Sequence, residues 1–471
     1  MKPLAALVLP AVRWDAERGF APAQPAIEAA LALGVGGFIL FGGERDAVRA
    51  LTRDLAAAAP HPLLVASDFE RGAGQQVSGL TALPPAMAVA SLGGDAVAEA
   101  ARITAAEARD VGVNWVFAPV ADLDVEPSNP IVQTRALGHD PEAVGRAAAA
   151  WIAACQAAGV LACAKHFPGH GRTTADSHEE LPVVAAPRPA LEADLLPFRR
   201  AVAAGVAGVM TAHVAYPALD PAGVAATHSR AVLDGLLRRD LGFGGLVVTD
   251  ALIMEGAVRG TGERQGAVRA LAAGCDLLLY PKDVPGVVDA IEAAAAAGAL
   301  DARRLEASLQ RRRAAVGRAA PARAAGGAEL ARHRERADAL ARAAVHLVRG
   351  EARAIRGPVD LVVVDDDAGG SYPVPPRTAF AEALAGRGVG TAPGGERIVV
   401  VFSDVKGGKG RAAPSAESRR SLALALAAPA TVVLCAHPRL AAEVAGPGPV
   451  WCAWSGDVVM QRAAAGRVLA P

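Results

Sequence analysis

This sequence of 471 residues is poor in aromatic side chains, has no net charge and has no long apolar run. Its 48 Lys and Arg residues balance 48 Asp and Glu residues, so charge predicts neither nucleic acid nor an acidic membrane surface as a partner. No apolar run approaches the length of a membrane span. Aromatic residues make up 4% of the chain while Ala and Gly are abundant, which fits closely packed helices and strands.

Cysteine is also scarce: the chain has five, an odd number, scattered in apolar surroundings and without a CxxC pair. This pattern predicts free thiols in a reducing compartment. The opening MKPLAALVLPAV has the apolar character of a short signal sequence. However, it has one Lys, a Pro near each end and no clear small-residue cleavage site. We interpret it as a first core strand and expect a cytoplasmic protein.

Short apolar runs recur through the first 300 residues or so, and helix-like segments lie in nearly every gap between them. The runs cover residues 4–9, 37–41, 63–67, 113–118, 160–164, 206–212, 245–249 and 275–280. Eight such units predict a (β/α)8, TIM-like barrel. The alternative is a doubly wound open sheet. Eight strands in one series, with no GxGxxG after the first, favour the barrel.

The texture of the chain changes near residue 301, where it becomes rich in Ala and Arg. We predict a last barrel helix and then a linking helix. Further apolar runs separated by helical segments predict a smaller C-terminal α/β sandwich-type domain with a mainly parallel sheet. The predicted helices cover residues 301–315 and 326–349, and the later strands 359–364, 397–403, 431–436 and 450–454. The expected domains are the catalytic barrel (1–315), a helical linker (316–357) and the C-terminal domain (358–471).

Polar residues follow several of the barrel runs, and in a parallel barrel all of these positions face one rim, where the active site of such a barrel lies. The C-terminal domain offers one similar feature, the KGGKG run at residues 406–410. It follows a strand but lacks the GxxxxGK[ST] spacing, so we expect an exposed turn there rather than a phosphate loop.

The most concentrated cluster of titratable groups is KHFPGHGRTTADSHEELP, residues 165–182. Within it, Asp176 could bind a ring N–H of His178, raise the basicity of the other nitrogen and make a proton donor and acceptor. The alternative is that Asp176 caps a backbone N–H and His178 is solvated. Asp250, at the tip of another strand, could be a nucleophile or the N-cap of the following helix.

The three histidines of this cluster do not predict a metal site. They lack an HExxH arrangement, and no Cys or further carboxylate has ligand spacing. We expect neither a metal ion nor a cofactor. Further rim residues suit a polyhydroxylated ligand or, alternatively, rim salt bridges. The expected donors are Arg135, Lys165 and His166, and the expected acceptor is Asp68. Asp122 and Asp124 fit turn positions as well as site positions.

Several ordered stretches between residues 36 and 254 resemble a known family. They are GGFILF, SDFERGAGQQV, LPPAMA, FAPVADLDVEPSNPIVQTRALGHDP, KHFPGHGRTTADSHEELP, VMTAHVAYPALD and GFGGLVVTDALIM. The chain resembles glycoside hydrolase family 3, and within it the bacterial β-N-acetylhexosaminidase branch that acts in peptidoglycan recycling. The resemblance implies a retaining exo-β-N-acetylglucosaminidase that cleaves peptidoglycan- or chitin-derived fragments through a covalent glycosyl-enzyme. The expected partner is a small carbohydrate, bound by a monomer or homodimer.

The resemblance also implies roles for individual residues. Asp250 falls on the nucleophile, and His178 falls on the acid/base, with Asp176 as its partner. The positions that bind sugar are Asp68, Arg135, Lys165 and His166.

The sequence departs from the branch in the turn after the first sugar-binding aspartate. The usual DxEGG reads DFERG here, so Arg71 stands where the family has glycine, and Gln76 replaces a downstream arginine. These departures bear on substrate preference more than on the reaction. A neutral histidine base would not repel an anionic acceptor, so the residues also fit a β-N-acetylglucosaminide phosphorylase. They fit a β-glucosidase-type hydrolase of the same family, or a non-catalytic sugar-binding protein on a barrel fold, as well.

Overall fold

The computed structural model describes residues 2–258, 260–355, 357–367, 374–404 and 409–469, which form a barrel and a smaller α/β domain. The barrel strands are β1 (Val8–Leu9), β2 (Ala11–Arg13), β3 (Gly37–Phe41), β4 (Leu64–Ser67), β5 (Trp115–Val116), β6 (Leu161–Phe167), β7 (Gly208–Thr211), β8 (Leu246–Val248) and β9 (Leu278–Leu279). Its helices are α1 (Gln24–Leu33), α2 (Arg45–Ala58), α3 (Ala86–Ala90), α4 (Gly94–Asp110), α5 (Pro141–Ala157), α6 (Arg188–Ala203), α7 (Glu255–Val258), α8 (Glu263–Ala273), α9 (Val284–Ala296) and α10 (Ala302–Arg318). Short 3-10 helices cover Pro3–Leu7, Ala21–Ala23, Ala73–Gln75, Gln133–Arg135 and Ala226–His228, and a π-helix covers Ala231–Asp240.

The barrel strands pair in parallel. Strands β2 to β8 form one sheet in chain order, and β1 pairs with β9. A parallel bridge joins Val248 at the end of β8 to Leu277, next to β9. Most strand residues are apolar and buried because helices cover the outside of the sheet while side chains fill the inside. This is the TIM-barrel-like α/β fold that the sequence predicted.

The prediction was wrong for the start of the chain. Residues 4–9 were expected to form one strand, but the structure has a 3-10 helix at Pro3–Leu7 and a strand only at Val8–Leu9. Pro3 favours a helix start at this position, because the N–H that proline lacks would be unpaired in the first turn of a helix in any case. Leu4, Ala5 and Leu7 are buried, so the apolar run indicated burial but not the type of element.

Two other strands differ in length from their apolar runs. Only Trp115–Val116 of the run 113–118 is strand, whereas β6 continues three residues beyond its run of 160–164. Lys165 and His166 therefore lie inside the end of β6 and are held by the sheet.

Local signals set the ends of several helices. Asp140 caps α5 by accepting the N–H of Ala143 at 2.8 Å, and Pro141 opens the helix. Gly34 ends α1 with φ +88°, a left-handed conformation that glycine adopts without steric cost. Both helices lie in gaps between apolar runs, where the sequence predicted helical segments.

The C-terminal domain contains a five-stranded sheet. Its elements are α11 (Gly327–Ala344), β10 (His346–Arg349), β11 (Val359–Asp365), α12 (Ala379–Ala385), β12 (Glu396–Ser403), α13 (Ala416–Ala425), β13 (Thr431–Ala436), a 3-10 helix (Pro438–Glu443), β14 (Val450–Cys452) and α14 (Val458–Leu469). The strand order is β10-β14-β13-β12-β11, parallel except for β10. Separate apolar clusters lie on the two faces of the sheet.

The predicted linking helix is wrong at its end. It was expected over residues 326–349, but α11 ends at Ala344 and His346–Arg349 forms an edge strand paired with β14. Pairing with a distant strand overrides local helix propensity. Of the expected turn at 406–410, residues 406–408 lie outside the described residues. Within it, the Lys409 side chain is buried, with its Nζ 3.1 Å from Asp366 Oδ2.

The two domains share an apolar contact. Met87 and Val132 of the barrel belong to the same buried cluster as Phe402 and Trp454 of the second domain. This contact lies beside the carboxyl ends of the barrel strands, so it brings the second domain next to the predicted site. All five cysteines are buried and unpaired. In the described ranges, no helix is both long and apolar enough to cross a membrane.

Candidate active site

Lys165 is a buried cation at the end of β6. Its Nζ lies 2.7 Å from Asp68 Oδ1 and 2.6 Å from Glu70 Oε1, and its side chain is 3% exposed. Burial lowers the pKa of Lys165, but the two carboxylates outweigh burial and raise that pKa above its usual value. Lys165 is therefore an ammonium group, held in place by residues that follow β4.

Glu70 joins the two predicted cationic sugar ligands. Its carboxylate contacts Lys165 on one side and Arg135 on the other, with Arg135 Nε at 3.0 Å and Nη2 at 2.8 Å. Burial raises the pKa of Glu70, but Arg135 and Lys165 hold it well below its usual range. Glu70 was not among the site residues predicted from the sequence. The available signal was its place as the acidic residue of the DxEGG-like turn.

Asp122 fixes the orientation of His166. Its Oδ2 lies 2.7 Å from His166 Nδ1, and its Oδ1 accepts the backbone N–H groups of His166 and His170 at 3.1 and 2.7 Å. Asp122 is fully buried and its pKa is lowered, because these donors outweigh the effect of burial. His166 Nδ1–H thus donates to Asp122, which leaves Nε2 facing the site. The sequence left Asp122 open between a turn and a site residue.

Asp250 lies two residues after β8, with 19% of its side chain exposed. Its Oδ1 accepts the N–H of Ala251 at 2.7 Å, and its Oδ2 is 4.0 Å from His166 Nε2. Burial raises the pKa of Asp250, but the neighbouring His166 and His213 rings and the Ala251 N–H outweigh burial and lower that pKa to about 2. Asp250 is ionised at neutral pH. It does not cap α7, which begins only at Glu255.

His213 holds the backbone beside Asp250. Its Nε2 is 3.2 Å from the carbonyl oxygen of Ala251, and its Nδ1 is 2.8 Å from Thr227 Oγ1. Burial lowers the pKa of His213, so the ring is neutral, and Nε2 carries the proton because its partner is a carbonyl. The sequence placed His213 on the rim but assigned it no role.

The Asp176–His178 pair forms as expected. Asp176 Oδ1 lies 2.7 Å from His178 Nδ1 and also accepts the His178 backbone N–H at 2.9 Å. The carboxylate thus makes both the ring contact and the backbone contact that the sequence offered as alternatives. Burial lowers the pKa of His178, but the hydrogen bond and charge of Asp176 and the charge of Asp250 outweigh it and raise that pKa. The ring is 38% exposed.

His170 is the structural histidine of the cluster. It is 1% exposed, with Nδ1 2.8 Å from Thr173 Oγ1 and Nε2 3.0 Å from Ser177 Oγ. Burial, and then the charge of His166, lower the pKa of His170 to about 4, so it is neutral. Because Ser177 lies between Asp176 and His178, His170 anchors the loop that carries this pair.

The site lies at one end of the barrel. The residues described above all follow or end barrel strands at their carboxyl ends, where barrel enzymes place their chemistry. A cavity of about 1100 Å³ between α2, α4 and residues 319–324 includes Leu63 and Asn114, at the amino ends of the strands, and contains none of the predicted site residues. Among the described residues, no group of three or more His, Cys, Asp or Glu side chains could hold a metal ion.

These groups together suit reaction at an electrophilic carbon bearing an oxygen leaving group. Asp250 supplies an ionised carboxylate and His178 a proton donor whose charge is favoured by Asp176. Lys165 and Arg135 supply fixed cationic donors. The arrangement places an ionised carboxylate, a carboxylate-paired histidine and two fixed cations on one rim.

Comparisons with known proteins agree with this chemistry. Residues 5–314 match the glycosyl hydrolase family 3 N-terminal domain. The chain is 40% identical over 259 residues to a β-hexosaminidase of Thiobacillus denitrificans, covering 52% of this chain and 71% of that protein. It is 35% identical over 290 residues to a β-N-acetylglucosaminidase/β-glucosidase of Cellulomonas fimi. This match covers 59% of this chain and 51% of that protein.

A solved structure matches both domains. It is a glycoside hydrolase family 3 β-N-acetylglucosaminidase from Paenibacillus, with a TM-score of 0.87 and 28% identity. The match covers 99% of this chain and 96% of that one. On these sequence and structural matches, the chain belongs to glycosyl hydrolase family 3.

Proposed function

We propose that this protein is a retaining exo-β-N-acetylglucosaminidase that hydrolyses terminal β-linked N-acetylglucosamine from peptidoglycan- or chitin-derived fragments. The names of its relatives support the substrate class. The observation that carries the proposal is the hydrogen bond of 2.7 Å between His178 and Asp176 on the rim that also holds the ionised Asp250.

In the first step, the terminal sugar binds against Asp68, Lys165, Arg135 and His166. Asp250 Oδ2 attacks the anomeric carbon, because Oδ1 is engaged by a backbone N–H. The bond from that carbon to the aglycone oxygen breaks, and His178 Nε2–H gives its proton to the leaving oxygen. The products are the free aglycone and a glycosyl ester on Asp250.

In the second step, neutral His178 accepts a proton from water as the water oxygen attacks the anomeric carbon. The ester bond breaks, the Asp250 carboxylate is restored and the sugar leaves with its β configuration retained. Asp176 serves both steps. Its charge favours the imidazolium form before the first step, and its hydrogen bond keeps Nδ1 protonated so that Nε2 exchanges the proton.

The remaining features of the proposal concern the whole chain. The barrel (1–315) is the catalytic domain, and the C-terminal α/β sandwich-type domain (358–471) is an accessory to it. Residues 316–357, expected to be a linker, lead from the barrel and also supply the edge strand β10 of the C-terminal sheet. The partner is a small carbohydrate, and the protein acts as a monomer or homodimer. The five buried free thiols support a cytoplasmic location.

A chromogenic β-N-acetylglucosaminide tests the proposal. We expect turnover by the wild type, with the β anomer as the first sugar product in a proton NMR time course. Asp250→Ala is expected to abolish turnover, and Asp46→Ala, at an exposed position on α2, is the matched control. Wild-type turnover no greater than that of Asp250→Ala would refute the proposal.

A β-glucosidase-type activity and a phosphorylase activity are the second candidates. The first is supported by the double name of the Cellulomonas fimi relative. The second is supported by the use of a histidine, since a neutral base beside the ester does not repel phosphate. Turnover of a matched β-glucoside tests the first. Sugar 1-phosphate formed only when phosphate is added identifies the second, and its absence removes that candidate.

A further inference from the structure

Two loops on the barrel rim each place one residue at the site and another residue against the second domain. In the β4 loop (residues 68–72), Glu70 holds Lys165 and Arg135. The next residue, Arg71, forms an ion pair with Asp457 of the second domain. Two adjacent residues of this loop therefore connect the predicted sugar-binding residues Lys165 and Arg135 to the C-terminal domain.

The β5 loop (residues 117–125) repeats this arrangement. Asp122 holds His166, and Asp124 contacts His437 and Arg439 of the second domain. The Oδ2 atom of Asp124 is 2.9 Å from His437 Nε2. His437 Nδ1 accepts the N–H of Arg439 at 3.1 Å, so Nε2 carries the proton that it donates to Asp124.

Both contacts are sheltered from solvent. The Asp124 side chain is 3% exposed, and those of Arg71 and Asp457 are 31% and 19% exposed. Burial raises the pKa of Asp124, but His437 and Arg439 outweigh it and lower that pKa, so the carboxylate is ionised. Attraction between charges at such sites is screened less than at an open surface. The contacts thus restrain both loops.

The ion pair in the β4 loop also balances the charge by which this chain departs from the DxEGG turn. Arg71 stands where the resembling family has glycine, and it adds a third cation near Glu70, which already binds two. Burial and then the charges of Asp367 and Asp457 raise the pKa of Asp404, which disfavours a second negative charge beside Asp457. The carboxylate in contact with Arg71 is that of Asp457. Without Asp457, Arg71 would compete for Glu70.

The contacting residues of the second domain lie at the carboxyl end of its sheet. Asp457 follows β14, and His437 follows β13. The carboxyl ends of the parallel strands of the barrel and of the second domain thus face each other. The residues that connect the two domains there are close in sequence to Glu70 and Asp122, which hold the sugar-binding groups.

We propose that the C-terminal domain positions the sugar-binding groups of the barrel. Asp457 acts through Arg71 on Glu70, and His437 with Arg439 acts through Asp124 on Asp122. These are positioning residues, because none of them is placed against the reacting atoms. The kinetic part of this inference rests on the proposed function, whereas the conformational part does not.

The kinetic test is Asp457→Asn in the full-length chain. Arg71 then loses the carboxylate that it contacts and is drawn towards Glu70, so Lys165 and Arg135 lose their fixed geometry. We expect KM to rise and kcat/KM to fall about 10- to 100-fold, the size of effect produced by a small displacement of binding groups. The alkaline limb of the pH profile should stay in place, because the His178 pair is not altered. Unchanged kcat/KM would overturn the proposal.

A matched control is Glu99→Gln. Glu99 on α4 pairs with Arg336 on α11, with Nε at 2.6 Å, so it also joins the barrel to the following segment, but away from the rim. We expect its kcat/KM to remain within about twofold of wild type. An equal loss in this control and in Asp457→Asn would show a general effect of ion-pair loss and would overturn the proposal.

The double variant Arg71→Gly/Asp457→Asn tests the charge argument. Removing the extra cation should restore most of the kcat/KM lost in Asp457→Asn, because Glu70 again faces only its two original partners. The two substitutions are then strongly non-additive, as expected for residues in direct contact. Losses that simply multiply would contradict the pathway through Arg71.

An activity-independent readout separates this inference from the proposed function. Hydrogen–deuterium exchange of the full-length protein should be faster at residues 68–76 in Asp457→Asn and at residues 121–126 in Arg439→Ala, each without change in the other loop. Unchanged exchange in both loops would overturn the positioning role whatever the enzyme activity. Faster exchange in a protein that hydrolyses no N-acetylglucosaminide would leave the positioning role intact and remove only the proposed function.

Discussion

The Asp176–His178 pair gives the sharpest test of the mechanism, through the substitution Asp176→Asn. Asparagine has almost the same shape as aspartate, and its side-chain oxygen can still accept from His178 Nδ1 and from the backbone N–H that Asp176 Oδ1 contacts at 2.7 and 2.9 Å. The substitution therefore removes the negative charge and keeps the geometry. Any effect on catalysis reports how much that charge favours the protonated ring.

The expected size follows from the opposing causes of the His178 pKa. In the native protein, Asp176 and Asp250 outweigh burial and raise this pKa above 6.5. A close opposite charge raises the pKa of a histidine by about 1 to 3 units. Without the charge of Asp176, less opposes the effect of burial, and we expect the pKa of His178 to fall by about 1 to 2 units. At pH 7 the protonated fraction of His178 then falls, by at most about tenfold for each unit by which the pKa is lowered.

The assay is kcat/KM from pH 4 to pH 9 on a substrate with a poor leaving group. A raised pKa favours the protonated acid, so its loss should move the alkaline limb to lower pH by about 1 to 2 units. Activity below the new pKa should fall much less. Asp110→Asn is the control, because Asp110 is also a buried, ion-paired carboxylate but lies at the far end of α4. An alkaline limb that stays in place in Asp176→Asn would refute the assignment.

Three further predictions concern the same site. His178→Ala should impair substrates with poor leaving groups far more than activated ones, because the latter need little protonation; equal losses in kcat/KM would contradict the acid role. Glu70→Gln should leave two buried cations with a neutral partner and lower the free energy of unfolding by about 3 kcal/mol, as measured by urea denaturation, with a large rise in KM. An unchanged midpoint and KM would show that Glu70 is dispensable. Between pH 4 and pH 6, kcat/KM should be nearly constant, because the pKa of Asp250 is about 2 and that of His178 is raised. An acid limb in this range in a folded protein would place the nucleophile elsewhere.

Much of the barrel could be predicted because its signals are local. Helix α5 begins at a capping Asp and a Pro, and α8 lies in a gap between two apolar runs, where the sequence predicted helical segments. The errors occur where the outcome depends on distant partners. The run at residues 4–9 shows only that it is buried, and β10 exists because β14 offers an edge to pair with. Neither fact is written in the local sequence.

The candidate site divides in the same way. Asp176 and His178 are two residues apart, so their pairing could be predicted from spacing alone. Glu70 was missed because its partners are distant in the chain, 65 residues away at Arg135 and further still at Lys165. Asp122 was left open for the same reason, since it acts on a residue 44 positions later. Residues that arrange other residues are visible only when the strands are assembled.

The contact between the two domains at the carboxyl ends of their strands has a consequence for evolution and for protein engineering. Arg71 and Asp457 are 386 positions apart, yet each is the counterion of the other. A recombination event or a designed chimera that exchanges one domain would leave a charge without its counterion beside the sugar pocket. We therefore expect the two positions to change together among descendants of this chain, and a transplanted second domain to need its matching rim loop.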